Sequence, residues 1–212
     1  MLQKRYREGG GAECGCDEAG RGALAGPVFA AAVILPDDYS NEMLNDSKQL
    51  TAKQRETLRE EIERSALAWS VAKVGNKDID RMNILRASMH AMNLAVKSLK
   101  QKPDMLLIDG NRFYNETDIE YVCVVKGDAK MMAIAAASIL AKTHRDEYMQ
   151  AVDRKYPGYG WSKNKGYPTK EHYGAIEKLG ATPLHRKSFT LSHCQVEMVF
   201  PESDGERTSK TQ

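Results

Sequence analysis

The chain of 212 residues lacks several of the features that would assign it quickly to a class. It has four cysteines, Cys14, Cys16, Cys123 and Cys194, and no Cys-x-x-Cys pair. A metal knuckle or a disulfide scaffold is therefore disfavoured, and free buried thiols are expected, with Cys14 and Cys16 on one face if their segment is a strand. No apolar run is long enough to cross a bilayer. The polar, basic stretch from Met1 to Gly11 has no apolar centre, so it does not read as a secretory signal, and a cytoplasmic protein is expected. The formal net charge is only +2, so composition does not announce a nucleic-acid binder. Any basic footprint must come from local clusters. No internal repeat or low-complexity array is visible.

What remains is an ordinary globular balance, 42% hydrophobic and 28% charged. That length supports one well-buried core with a modest appendage. Residues 12–17 read as a first strand ending at Asp17. The near-continuous apolar run from Val28 to Leu35, closed by Pro36, reads as a strand buried on both faces. Asp37 to Leu50 reads as a loop. Thr51 with Gln54 forms a capping-box pattern opening a polar helix to about Arg64. Another strand is expected from Leu67 to Val74, ended by Gly75-Asn76.

A helix is predicted over Asn83 to Lys100, with Leu85, Met89, Met92, Val96 and Leu99 on its apolar face. Short strands follow at Met105 to Ile108, ending in Asp109-Gly110, and at Tyr121 to Val125, ending in Lys126-Gly127-Asp128. A long helix rich in small residues is expected from Ala129 to about Lys155. A last helix is expected from about Thr169 to Gly180, and the polar tail after Pro201 is expected to be disordered. Neighbouring strands first and alternation with helices later favour a mixed α/β sheet.

Chemistry is suggested by acids that close apolar segments beside glycine. Asp17-Glu18 precede Gly20, Asp109 precedes Gly110, and Asp128 follows Gly127. In α/β sheets ligands collect at strand ends, where such carboxylates can meet. One acid taken alone is more often a turn former or a helix cap, and Asp128 occupies what looks like a cap position. Two adjacent acids before Arg21 are harder to dismiss, although an ion pair with Arg21 is an alternative. Three or four carboxylates in one pocket resist ionisation unless divalent cations are present, and hard oxygen donors favour magnesium or manganese. A pair of such ions suits phosphodiester hydrolysis. Asp146 competes with Asp128 for the fourth place. On one continuous helix the two would stand about 27 Å apart, so Asp128, nearer the strand ends, is preferred.

Basic residues cluster locally: Lys126, Lys130, Lys142 and Arg145 along the long helix, Lys163, Lys165 and Lys170 around an aromatic loop, and His185-Arg186-Lys187. Each reads as a solvated face unless the acids indicate phosphoryl chemistry. Tyr156, Tyr159, Trp161 and Tyr167 are candidates for stacking on sugars or bases.

Taken in order, Asp17-Glu18-Ala19-Gly20-Arg21-Gly22, Asp46-Ser47-Lys48, Ile108-Asp109-Gly110, Lys126-Gly127-Asp128, Ala136-Ala137-Ser138-Ile139, Lys165-Gly166-Tyr167 and His185-Arg186-Lys187-Ser188-Phe189 resemble the ribonuclease HII family, the bacterial type 2 ribonucleases H. The resemblance runs from about Ala12 to Phe189. It implies an RNase H-like fold with a central mixed five-stranded sheet over residues 1–155, a helical extension over 156–200 that helps bind substrate, and a tail over 201–212. It implies a monomeric endonuclease that cuts RNA in RNA–DNA hybrids and incises 5′ to a single ribonucleotide in duplex DNA. The products would carry 5′-phosphate and 3′-hydroxyl ends, and the cofactor would be Mg2+ or Mn2+, two per site.

By the same resemblance Asp17, Glu18, Asp109 and Asp128 are the metal-binding acids. Gly20, Arg21 and Gly22 read the 2′-hydroxyl at the junction, and Tyr167 packs beside that nucleotide. Lys48, Arg186 and Ser188 are further substrate contacts. A 2′-hydroxyl is what separates RNA from DNA at a given nucleotide, and glycines let the backbone approach it. Other nucleases of the RNase H fold would share the acids without needing Gly20-Arg21-Gly22 and a distant Tyr167. A silent binding module would need no carboxylate cluster. Since side chains alternate along a strand, Glu18 should join Asp17 only if the strand has broken into a turn there. No clamp-binding peptide is evident in the tail.

Overall fold

The computed structural model describes residues 2–46 and 50–189, the side chains of residues 45 and 46 excepted. Lys48, Cys194 and the tail lie outside the described residues. Five strands form one sheet in the order β3-β2-β1-β4-β5: β1 (Glu13–Ala19), β2 (Val28–Ile34), β3 (Ala68–Val74), β4 (Met105–Asp109) and β5 (Glu120–Val124). The β1, β2 and β3 strands pair antiparallel, while β4 runs parallel to β1 and to β5. This is the mixed five-stranded sheet flanked by helices that the sequence predicts.

All seven residues of β2 are buried, as a continuous apolar run requires when helices cover both faces. One face carries Cys14, Cys16, Leu106 and Ile108 against α3 (Ile84–Lys97). The Cys14 and Cys16 thiols are free and buried. The other face is covered by α4 (Met132–Asp153), whose alanines let it come close. Contact is tightest at Gly15, where a Cβ would overlap the backbone of Ala133 and Ile134. Any side chain there would push α4 off the sheet.

Helix α1 (Ala52–Ser65) begins with the expected capping box: the Thr51 hydroxyl accepts from Gln54 N, and the Gln54 carboxamide accepts from Thr51 N at 2.9 Å. Two short helices were not legible in the sequence, α2 (Asn76–Met82) and α5 (Trp161–Asn164). The face of α3 also differs from expectation. Leu85 is 38% exposed, and the buried positions include Ala87, Ala91, Met92, Ala95 and Val96. Packing close to the sheet selects small side chains such as Ala87, Ala91 and Ala95 on the inner face, and Leu85 lies at its margin.

Helix α4 starts later than predicted. Gly127–Ala129 form a separate 3-10 turn, and the N-cap of α4 is Met131. Asp128 therefore does not cap α4, and the separation of Asp128 from Asp146 reckoned along one helix does not apply. After α4 come α5 and α6 (Lys170–Leu179), the latter capped by Thr169, whose hydroxyl accepts from His172 N. They share an apolar cluster with Leu24, Ala25, Met149 and Val152. In that cluster Tyr159 and Trp161 stack at 5.1 Å and are buried, so they do not offer faces to a base. Tyr167, at 36% exposed, remains available. No helix among the described residues is long and apolar enough to cross a membrane.

Candidate active site

Strand register brings the first two acids together. The β1–β4 ladder ends at Cys16 opposite Ile108, so the next step places Asp17 level with Asp109. Alternation puts Asp17 on the Gly15 face and Asp109 on the Leu107 face, which is the α4 side in both strands.

The anticipated break at Glu18 is absent, because β1 continues to pair with β2 through Glu18–Ala30 and Ala19–Phe29. What opens is the other edge. Beyond Cys16 the β4 partner is lost, and the charge of Asp109 still acts on Glu18. Arg21 Nη1 donates to Glu18 Oε1 at 3.0 Å, so the alternative ion pair is present.

Asp17 is 6% exposed, and its carboxyl is held well above the usual carboxylate range by burial, then by the charges of Glu18 and Asp109. The Ser138 hydroxyl and the Glu18 N–H, which donates to Asp17 Oδ1 at 2.7 Å, pull the other way. Glu18 is raised by burial and by Asp109, and restrained by Arg21.

Asp128 is half-buried on the 3-10 turn. Its neighbour Gly127 donates N–H to Asp109 Oδ1 at 2.6 Å, which fixes that turn beside β4. The charge of Asp146 acts on Arg145 and Lys165. As the side chains stand, no three His, Cys, Asp or Glu among the described residues are gathered tightly enough to hold an ion. The chemistry of Asp17, Glu18 and Asp109 nevertheless fits a hard divalent cation. They are oxygen donors only, and their mutual repulsion in a dry site is what such a charge relieves.

Next to the acids, Gly20 turns the chain with φ +97°. A Cβ there would overlap Arg145 Nε, so the position requires glycine on two counts. Two buried arginines hold the loop beyond this turn. Arg186 donates from Nε to Gly26 O at 3.0 Å, from Nη1 to Arg21 O at 2.9 Å and from Nη2 to Gly20 O at 2.7 Å. Arg145 donates to Pro27 O, Ala25 O and Lys165 O, and its guanidinium lies 5.2 Å from the Tyr167 ring centre.

Arg186 is fully buried, so it does not present the phosphate contact expected of it, and it braces the Gly20–Gly26 loop instead. Burial and the neighbouring Arg145 push its pKa down to about 9, which still leaves it charged at neutral pH. Ser188 is likewise engaged within the protein, its N–H and hydroxyl both donating to Asp80. Sequence reasoning grouped Arg145 with the surface lysines. The missed signal is its helical phase, since Ser138, Lys142, Arg145 and Met149 recur on one face of α4.

These elements enclose an open cleft of about 300 Å³ lined by Glu18 through Gly22, Ser138, Lys142 and Tyr167. Gly22 faces the Tyr167 ring across it, a Cβ at Gly22 lying 4.0 Å from Tyr167 Cε1. Glu18, the glycine turn and Tyr167 meet in this one cleft, and the charges of Asp17 and Asp109 act on each other beside it.

Comparison with known proteins agrees with this architecture. Residues 14–192 match the family model described as ribonuclease HII. The ribonuclease HII of Bacteroides thetaiotaomicron is 62% identical over 179 residues, covering 84% of this chain and 90% of that one. That of Parabacteroides distasonis is 58% identical over 195 residues, covering 92% and 98%. The crystal structure of ribonuclease H2 from Pyrococcus horikoshii superposes with a TM-score of 0.70 at 27% identity, covering 84% of this chain and 93% of that one. The chain belongs to the ribonuclease HII family, and is an endoribonuclease of the RNase H type.

Proposed function

We propose that this chain cuts RNA in RNA–DNA hybrids and incises 5′ to a single ribonucleotide embedded in duplex DNA, leaving 5′-phosphate and 3′-hydroxyl ends. The observation that carries the reading is the shared cleft, in which Glu18 borders the Gly20–Gly22 turn and Tyr167 stands opposite Gly22. Asp17, Glu18, Asp109 and Asp128 would hold two magnesium or manganese ions. When bound, such ions supply an activated water and neutralise charge at the scissile phosphate.

The chain's own residues do the selecting. The inward bonds from Arg186 to the carbonyls of Gly20 and Arg21 fix the turn in place, so its exposed edge meets the sugar without first having to order. Tyr167 closes the opposite wall. A site shaped around a hydroxyl leaves polar groups unpaired when deoxyribose enters, which is a strong form of discrimination. Lys142, on the cleft wall, supplies positive charge for the phosphate backbone.

One gel assay tests the reading with three substrates: an all-DNA duplex, a hybrid, and a duplex with one ribonucleotide, each with magnesium and with chelator. Cleavage of the last two, abolished by chelator, is expected. Cleavage of all-DNA duplex, or chelator-resistant cutting, would overturn it. Tyr167→Ala is expected to lower cleavage at a single ribonucleotide by about tenfold to a hundredfold, the cost of a misplaced substrate. An unchanged rate removes Tyr167 from this role. In the absence of nucleic acid, millimolar magnesium or manganese should raise the thermal midpoint of the wild type, because a cation relieves carboxylate repulsion in the native state alone. The rise should be smaller for Asp17→Asn, as read by scanning fluorimetry.

A further inference from the structure

Behind Tyr167 lies a buried chain of hydrogen bonds that the proposed cleavage site does not use. The Trp161 indole Nε1 donates to His172 Nε2 at 2.9 Å. His172 Nδ1 lies 3.0 Å from the Tyr167 carbonyl oxygen. His172 Nε2 is also 3.2 Å from His185 Nε2, and His185 Nδ1 receives Thr182 N at 2.8 Å and Thr182 Oγ1 at 2.9 Å. Trp161, His172 and His185 are each no more than 1% exposed.

Donor and acceptor roles allow one assignment. A carbonyl only accepts, so His172 carries its proton on Nδ1. An indole only donates, so His172 Nε2 presents a lone pair. A backbone N–H only donates, so His185 Nδ1 also presents a lone pair, and its proton sits on Nε2, aimed at His172 Nε2, whose single lone pair it shares with the Trp161 N–H. Both rings are therefore neutral and of opposite tautomers. Burial lowers both in pKa, His185 to about 4, with the neighbouring ring acting in the same direction on His185. The groups around them are consistent: the Tyr159 ring packs on His185, Glu171 precedes His172, and the Arg186 guanidinium is directed to the loop carbonyls.

The two ends of this chain reach different walls of the cleft. His172 holds the Tyr167 carbonyl. His185 belongs to the segment that holds the glycine loop, where Gly26 N donates to Leu184 O, Arg186 N donates to Leu24 O, and His185 itself bridges Ala25. We propose that the His172–His185 pair is a positioning bridge that, together with the direct bond from Leu24 N to Gly166 O, sets the separation between Tyr167 and the Gly20–Gly22 turn, and so the fit of the ribonucleotide. The proposal rests on Tyr167 serving as the wall of the cleft opposite that turn.

Two measurements test it. Heteronuclear NMR of the wild-type protein at pH 7 should show His172 as the Nδ1–H tautomer and His185 as the Nε2–H tautomer. Any other tautomer, or an imidazolium at either site, overturns the bridge without reference to activity. The second is kinetic, on a duplex with one ribonucleotide. His172→Leu should raise KM by about tenfold or more, with kcat changed much less, as for a misplaced wall. His172→Asn, which keeps a donor for the Tyr167 carbonyl, should recover part of that loss.

Because the bridge acts through Tyr167, the double variant His172→Leu/Tyr167→Ala should be no worse than Tyr167→Ala within about twofold. Losses that multiply would show a merely structural histidine and overturn the proposal. A wild-type KM in Tyr167→Ala would instead overturn the role of that tyrosine, and the bridge's function with it, while the NMR result stands on its own.

Discussion

Asp109→Asn is expected to give a folded protein whose cleavage of a single-ribonucleotide duplex falls by about a thousandfold or more, because one anionic ligand of the proposed ions is lost. The substitution is nearly isosteric, and the amide oxygen can still accept the Gly127 N–H that Asp109 Oδ1 receives now. The turn carrying Asp128 should therefore stay in place. Removing this charge also relieves the pressure that Asp109 exerts on Asp17 and Glu18. In metal-free buffer the thermal midpoint should be unchanged or higher than that of the wild type, a stability gained at the expense of function. Activity and midpoint are thus expected to move apart. Near wild-type cleavage in Asp109→Asn would remove Asp109 from the proposed site, and a midpoint lowered along with activity would reduce its role to that of a structural brace.

Arg186→Met should be costly in both respects. The side chain is fully buried and donates to the carbonyls of Gly20, Arg21 and Gly26, so methionine fills much of the volume but removes three charge-assisted bonds and leaves Arg21 O and Gly26 O without that donor, Gly20 O keeping the Ala23 N–H. At about 1–3 kcal/mol for each buried unsatisfied group, and with some relief as the loop rearranges, the loss should be about 3–5 kcal/mol. In a chain of this size that corresponds to a fall in thermal midpoint of about 10 °C or more. A loop freed from its brace no longer presents a fixed turn to the substrate, so cleavage at single ribonucleotides should fall even at temperatures where the variant is fully folded. Urea unfolding with parallel cleavage assays separates the two effects. A stability loss with activity intact would show that the loop's shape does not depend on Arg186.

Much of this fold was readable from local pattern. The apolar run of β2, the Thr51–Gln54 box and the acid-glycine ends of β1 and β4 each state their structure within a few residues, because each depends on near neighbours in the chain. The acids could be singled out for the same reason. That Asp17 and Asp109 stand level was not readable, since it depends on the register of strands 92 positions apart.

Expectation and structure part wherever tertiary packing outvotes local pattern. Arg145 and Arg186 look like surface cations until six carbonyls converge on them. Tyr159 and Trp161 look like base-stacking residues until they stack on each other. The strand was expected to break at Glu18, but a sheet can open along one edge while the other stays paired, and a single sequence carries no mark of which edge that will be.

The two arginines under the loop also bear on how this surface responds to its ionic surroundings. Exposed lysines act on a polyanion through water, and at molar salt their reach contracts to about 3 Å. Arg145 and Arg186 are sealed from that atmosphere and, among the described residues, make no ion pair with a carboxylate. Mobile ions cannot enter between these charges and the cleft wall. As salt rises, the attraction felt along the outlying lysines should fade first, while the field of the two buried arginines beneath the glycine loop is screened least.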